Sequence, residues 1–150
     1  MDRLPHAIRT IFCAGLISGV LDIAYVFVYF HQVAPLGILR GIAAGLLGPD
    51  AHQGGVGTAA LGLALHFLIA MGAAAAFYTA SRKLTVLVRR PWVSGPLYGV
   101  SVWLFMNLIV LPLSATPPKS FPAPTWIPIL VAHVVCVGLP IALTVRRRQQ

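Results

Sequence analysis

The sequence predicts an all-α fold, a four-helix transmembrane bundle with one further short helix. Three observations carry that reading. Of 150 residues, 58% are hydrophobic and 9% are charged, where a soluble domain carries about 25% charged residues. The mean hydropathy is +0.85. The apolar residues also fall in long runs, which mark membrane spans, rather than in the alternation of half-buried strands. A water-soluble fold of this composition would have to expose large apolar patches, which soluble monomers rarely do.

Four runs are long enough to span: Ile11–Phe30, Val56–Ala80, Trp92–Leu113 and Trp126–Val145. Each has about 20 residues or more, which at 1.5 Å rise per residue matches a hydrocarbon core of about 30 Å. Backbone in lipid must satisfy its own polar groups, so such runs are helices or barrel strands. Barrel strands would be about 10 residues long and would alternate; these runs do neither. Residues 1–150 read as a single integral membrane domain, with no repeated half and no low-complexity tract.

The stretch before the first run, Met1–Thr10, carries Arg3 and Arg9 and has the charge of a signal-peptide n-region. The run that follows is longer than an h-region, contains Asp22 and lacks a small-x-small cleavage site, so a retained first helix is expected. Between the first two spans, Pro35 to Gly48 predicts a short helix. Pro35 suits the first helical position, and Leu36, Leu39, Ile42, Ala43, Leu46 and Leu47 recur at helical spacing. At about 21 Å it is too short to cross. It is expected to lie in the interface or to re-enter, with Gly37, Gly41 and Gly45 packed on a span as a small-xxx-small face. A lid over a cavity is the sharper reading of the same segment. Pro96 and Pro112 bracket the third span. Pro140 in the fourth removes a backbone bond to Cys136 and predicts a kink.

Charge excludes some functions and orients the chain. Eleven Lys and Arg stand against three Asp, a formal net charge of +8. No basic face interleaves with aromatics, so no nucleic-acid partner is expected. Cys13 and Cys136 lie inside apolar runs and make no CxxC pair. With the N-terminus in the cytoplasm, Arg3, Arg9, Arg82, Lys83, Arg89, Arg90, Arg146, Arg147 and Arg148 all lie inside. Arg40 and Lys119 lie outside. The positive-inside rule selects this orientation, with both termini cytoplasmic.

Each span carries one polar residue that is costly in lipid and therefore a functional candidate. These are Asp22, His66, Asn107 and His133. Each lies on a stripe of small or polar residues at three- and four-residue spacing: Gly15, Ser18, Asp22, Tyr25 and Tyr29; Ala59, Gly62, His66, Ala70 and Ala73; Gly99, Trp103 and Asn107; His133, Cys136, Pro140 and Thr144. Given the alternating directions of the spans, all four fall about 9–15 Å below the outer boundary. One inward-facing polar layer is expected. Such a layer can bond to itself and fix helix register, or it can bind a ligand or proton. Buried Asp and His offer a protonation switch to a small transporter-like protein or an accessory membrane subunit. The alternative is a b-type haem between His66 and His133, since two His on facing helices are the minimum for bis-imidazole ligation. No other cofactor is expected. No HExxH, GxSxG or acidic magnesium-binding cluster is present, so no reaction is read. His31, Asp50 and His52 near the first loop are a weak zinc candidate beside the plainer reading of solvated loop residues.

The stretches Leu21–Tyr25 (LDIAY), Ile42–Gly48 (IAAGLLG), Leu61–Phe67 (LGLALHF) and Tyr98–Ser114 (YGVSVWLFMNLIVLPLS) resemble a family of uncharacterised small bacterial four-span inner-membrane proteins. The resemblance covers Gly15 to Ser114 and is less distinct in the fourth span. It implies a bacterial inner-membrane location and the four-span architecture, and no activity. The lipid bilayer is the expected partner. Four short helices make a thin scaffold for a transport path, so a second copy or a membrane-protein partner is expected as well.

The orientation is testable by cysteine labelling. An impermeant thiol reagent applied to intact cells is expected to modify Lys119→Cys and to spare Arg82→Cys. The reverse pattern overturns the orientation.

Overall fold

The computed structural model describes residues 3–116 and 123–149. Among these residues the chain is helical, without strands, and four helices are long and apolar enough to cross a membrane. The first span is α1 (Arg3–Tyr29) and the second α3 (Val56–Lys83). The third runs from α5 (Pro91–Phe105) through a π-helical turn (Met106–Val110) into α6 (Leu111–Leu113). The fourth runs from α7 (Ala123–Ala132) through a second π turn (His133–Gly138) into α8 (Leu139–Gln149). The chain is a multi-pass membrane protein, and the helices extend past the predicted spans by a few residues at several ends. Lys119, expected in the last loop, lies outside the described residues.

The short helix of the first loop is present as α2 (Pro35–Leu47), with Pro35 in its first turn. Gly48 ends it. Its φ of 84° is open to glycine and strained for other residues, and its N–H closes the last turn on the Ala44 carbonyl. A 3₁₀ turn (Pro49–Gln53) then leads toward α3. A small helix α4 (Val86–Arg89), not foreseen from sequence, fills the second loop. The Ser94 hydroxyl ties that loop to the start of α5 by donating to the Leu87 carbonyl at 2.6 Å.

Both chain ends lie at one end of the bundle. There the Arg148 guanidinium contacts Cys13 Sγ at 3.5 Å, and the Gln149 amide donates to Ser81 Oγ at 3.0 Å. The spans form an arc in the order second, first, fourth, third. α1 packs on α3 on one side and on the fourth span on the other, and α5 packs on the fourth span. Second and third spans meet where the Tyr98 hydroxyl donates to the Ala73 carbonyl at 2.7 Å and its ring lies edge-on to Phe77. Glycines set the close approaches. Gly95 and Gly99 of α5 face Gly138, Leu139 and Val134 of the fourth span, and a Cβ on Gly95 would lie 2.9 Å from Leu139 Cα. Such contacts replace the hydrophobic drive that lipid cannot supply.

The end holding the termini is solid. Ala14, Ala74, Phe77, Val137, Ile141, Ala142 and Val145 form its buried core. Outward faces are apolar, with Leu113 82%, Val28 75% and Leu108 70% exposed. In water that surface would cost about 25 cal/mol per Å²; in lipid it costs nothing.

One expectation is corrected. The Gly37, Gly41 and Gly45 repeat is not pressed against a span: a Cβ on Gly41 would meet only His52 Cε1 at 3.7 Å, and one on Gly45 only Ser114 Cβ at 3.9 Å. The residues of α2 that are buried are Ala43 and Ala44. The glycine that admits α2 belongs to the partner helix, where a Cβ on Gly62 would overlap the Leu39 carbonyl oxygen and lie 3.2 Å from the Ala43 nitrogen. The apolar ridge of α2 seats on the small residue of α3, not the reverse.

Gly62→Leu is therefore expected to lower stability in detergent by about 1–3 kcal/mol, the usual cost of overpacking, while Gly41→Leu stays close to wild type. Thermal unfolding of the two variants checks this; equal loss from both would remove the assigned contact.

Candidate functional site

Toward the end opposite the termini, the core gives way to a cavity of about 240 Å³. All four spans and α2 contribute to it. α1 supplies Ser18, Gly19, Asp22, Ile23 and Val26, and α3 supplies His66, Ile69, Ala70 and Ala73. Val102 and Met106 come from the third span, and His133 and Val137 from the fourth. Ile38 and Ile42 of α2 form an apolar roof. That roof is anchored twice, through Gly62 on α3 and through a bond from the Ala115 N–H to the Gly45 carbonyl at 2.8 Å. α2 thus sits over the cavity.

The structure brings Asp22, His66 and His133 to one cavity. Both histidines line the cavity together with Asp22. His66 Nε2 donates across the helix interface to the Gly19 carbonyl at 2.9 Å. His133 Nδ1 donates to the Ile129 carbonyl of its own helix at 2.8 Å. Asp22 differs from both. Its Oδ1 is buried and has no hydrogen-bond partner in the protein. An unmatched buried acceptor costs about 1–3 kcal/mol.

Asn107 does not join them. It lines a smaller space of about 130 Å³ beside Trp103, Trp126 and Ile129, and His133 borders both. Its amide donates to the Trp103 carbonyl at 2.8 Å. The sequence placed Gly99, Trp103 and Asn107 on the inner face, but that stripe faces the fourth span, as Gly99 shows by packing on His133 and Val134. The residues facing the cavity are Val102 and Met106, one position round at about 100° per residue. The predicted four-residue layer is thus a group of three with Asn107 beside it.

Among the described residues no three His, Cys, Asp or Glu side chains gather as a metal group. That applies to His31, Asp50 and His52, which are exposed on the loops. The bonded nitrogens, His66 Nε2 and His133 Nδ1, are each held by a carbonyl, and the cavity is smaller than the roughly 300–1,000 Å³ of ligand pockets. The space suits an ion, a water-sized group or a small head group. Ser18, Ile38 and Ile42 were not singled out from sequence as site residues; Ser18 stood in the right stripe, but nothing local signals that α2 folds back over it.

Comparison with protein-family models, curated proteins and solved structures gave no match.

Asp22→Asn is expected to unfold at the same or a higher temperature than wild type, because it removes a buried charge that no donor meets. A loss of about 1–3 kcal/mol in thermal unfolding would mean that the carboxylate has a structural partner.

Proposed function

We propose that this chain is a small transporter-like protein of a bacterial inner membrane that binds a proton or small cation at Asp22, between His66 and His133. The observation that carries the reading is the buried Asp22 Oδ1 without a partner, in a cavity to which every span contributes. A structural layer would have matched that oxygen, since leaving it unmatched weakens the fold. Unpaired ionisable groups inside a membrane bundle mark ion or substrate paths.

The surroundings support movement about such a site. A ligand held where all spans meet can bias how they sit against one another, which is what alternating access requires. The end with the termini is closed by the Phe77, Ile141 and Val145 core, and the other end is roofed by α2. Two spans reach the cavity through π turns, each ending two residues before a proline, Pro112 or Pro140. Interrupted helices at mid-membrane are the usual construction of transporter sites. Displacement of α2 would open the cavity to the outside in the orientation that places the nine basic residues in the cytoplasm.

The test uses proteoliposomes that enclose a pH-sensitive dye, with proton movement driven by a potassium diffusion potential. Wild-type vesicles are expected to equilibrate faster than protein-free ones. Asp22→Asn vesicles are expected to fall to the protein-free rate, although the variant folds. Equal rates from wild type and Asp22→Asn overturn the reading and leave an accessory role in its place.

A further inference from the structure

The donors and acceptors of the cavity select a class of ligand. Its polar side chains are Ser18, Asp22, His66 and His133. The Ser18 hydroxyl donates to the Gly15 carbonyl at 3.2 Å. His66 Nε2 and His133 Nδ1 are each bonded to a carbonyl oxygen. A carbonyl can only accept, so in each ring the bonded nitrogen carries the proton. In the neutral rings the other nitrogen, His66 Nδ1 or His133 Nε2, is then an acceptor. An ionised Asp22 has no donor at all. With both rings neutral and Asp22 ionised, every side-chain donor in the cavity is engaged with backbone and acceptors remain. A ligand that brings donors and positive charge complements this lining; an anion does not.

Access is the second observation. Between the second and third spans lies a larger, apolar groove of about 510 Å³. Ile69, Ala73 and Val102 line both spaces, so groove and cavity adjoin across these three side chains. Gly72, Ser101 and Phe105 of the groove are exposed on the outer surface of the bundle. The groove therefore opens sideways, toward the acyl chains of the bilayer, and its inner wall is shared with the cavity of Asp22.

We propose that groove and cavity form one site for a primary-ammonium amphiphile, which arrives laterally from the bilayer and places its head at Asp22 and its apolar tail between the second and third spans. This rests on the reading of the Asp22 cavity as the binding site. A primary ammonium carries three donors and no acceptor, and the Asp22 carboxylate and the second nitrogens of neutral His66 and His133 are acceptors. Pairing with Asp22 offsets the cost of bringing the charge into a low-dielectric interior, which an unpaired ammonium could not meet. The tail concentrates the ligand in the membrane, beside the opening.

Binding of methylamine, octylamine, octanol and octanoate to the protein in lipid nanodiscs tests this, with empty nanodiscs as the partition reference. Octylamine is expected to bind about tenfold or more tighter than methylamine, and octanol and octanoate much more weakly than octylamine. Asp22→Asn is expected to lose both amines. Gly72→Phe places a ring at the groove, where an added Cβ meets nothing within 4 Å. It is expected to abolish the advantage of octylamine and to leave methylamine unchanged. Octanol or octanoate binding as tightly as octylamine overturns the head-group assignment, and an octylamine advantage that survives Gly72→Phe overturns the lateral path. If neither amine binds while Asp22-dependent proton movement is present, the amine proposal falls and the reading of the site stands. If that movement is absent too, both fall.

Discussion

Within the spans, the one solvent for a polar side chain is the backbone of the protein itself. Lipid offers no hydrogen bonds, and helical N–H groups are already committed to carbonyls one turn back. Carbonyl oxygens, with two lone pairs, can still accept. Side-chain donors in the bundle accordingly go to carbonyls: Thr10 to His6, His66 to Gly19, Tyr98 to Ala73, Asn107 to Trp103 and His133 to Ile129. An ionised carboxylate has nothing to donate, so this solution is closed to Asp22. The same rule leaves acceptors rather than donors lining the cavity.

The glycines decide where that cavity can be. Gly95, Gly99 and Gly138 bring the third and fourth spans together along one side, and Gly15 and Gly19 let α1 approach Met71 and Phe67 of α3. No comparable pair of small residues joins α3 to α5 among the described residues. There the helices are held at Tyr98 and Phe77 and part above that point, and the groove and the cavity lie where they part. Gly62 completes the enclosure by seating α2. The site thus lies where the approach is uneven: tight where glycines face one another, open where Ile69, Val102 and Phe105 line the groove.

The two π turns follow from prolines. Pro112 and Pro140 cannot donate to the helical ladder, and their rings crowd the carbonyl four residues earlier. In each span the turn before the proline is widened. Leu111 bonds to the Met106 carbonyl and Leu139 to that of Val134, five residues back rather than four. His133 begins one widened turn and Asn107 lies within the other.

The chain's membrane character, its four spans and the existence of a short loop helix were legible in the sequence. They depend on the length and apolarity of continuous runs, and on signals local to the chain such as Pro35 and Gly48. Asp22, His66 and His133 were legible as candidates because an ionisable residue in an apolar run is conspicuous wherever it points. What they face was not. The placement of Asn107 beside the cavity rather than in it depends on the rotation of the third span against the fourth. The burial of Ala43 rather than Gly41 depends on which helix presents the small residue. The roof formed by Ile38 and Ile42, and the gap between the second and third spans, arise from contacts between residues distant in the chain. Periodicity names the residues that share a helix face, because that is a property of one helix. Which neighbour the face meets, and how closely, is a property of pairs of helices, and only the tertiary structure contains it.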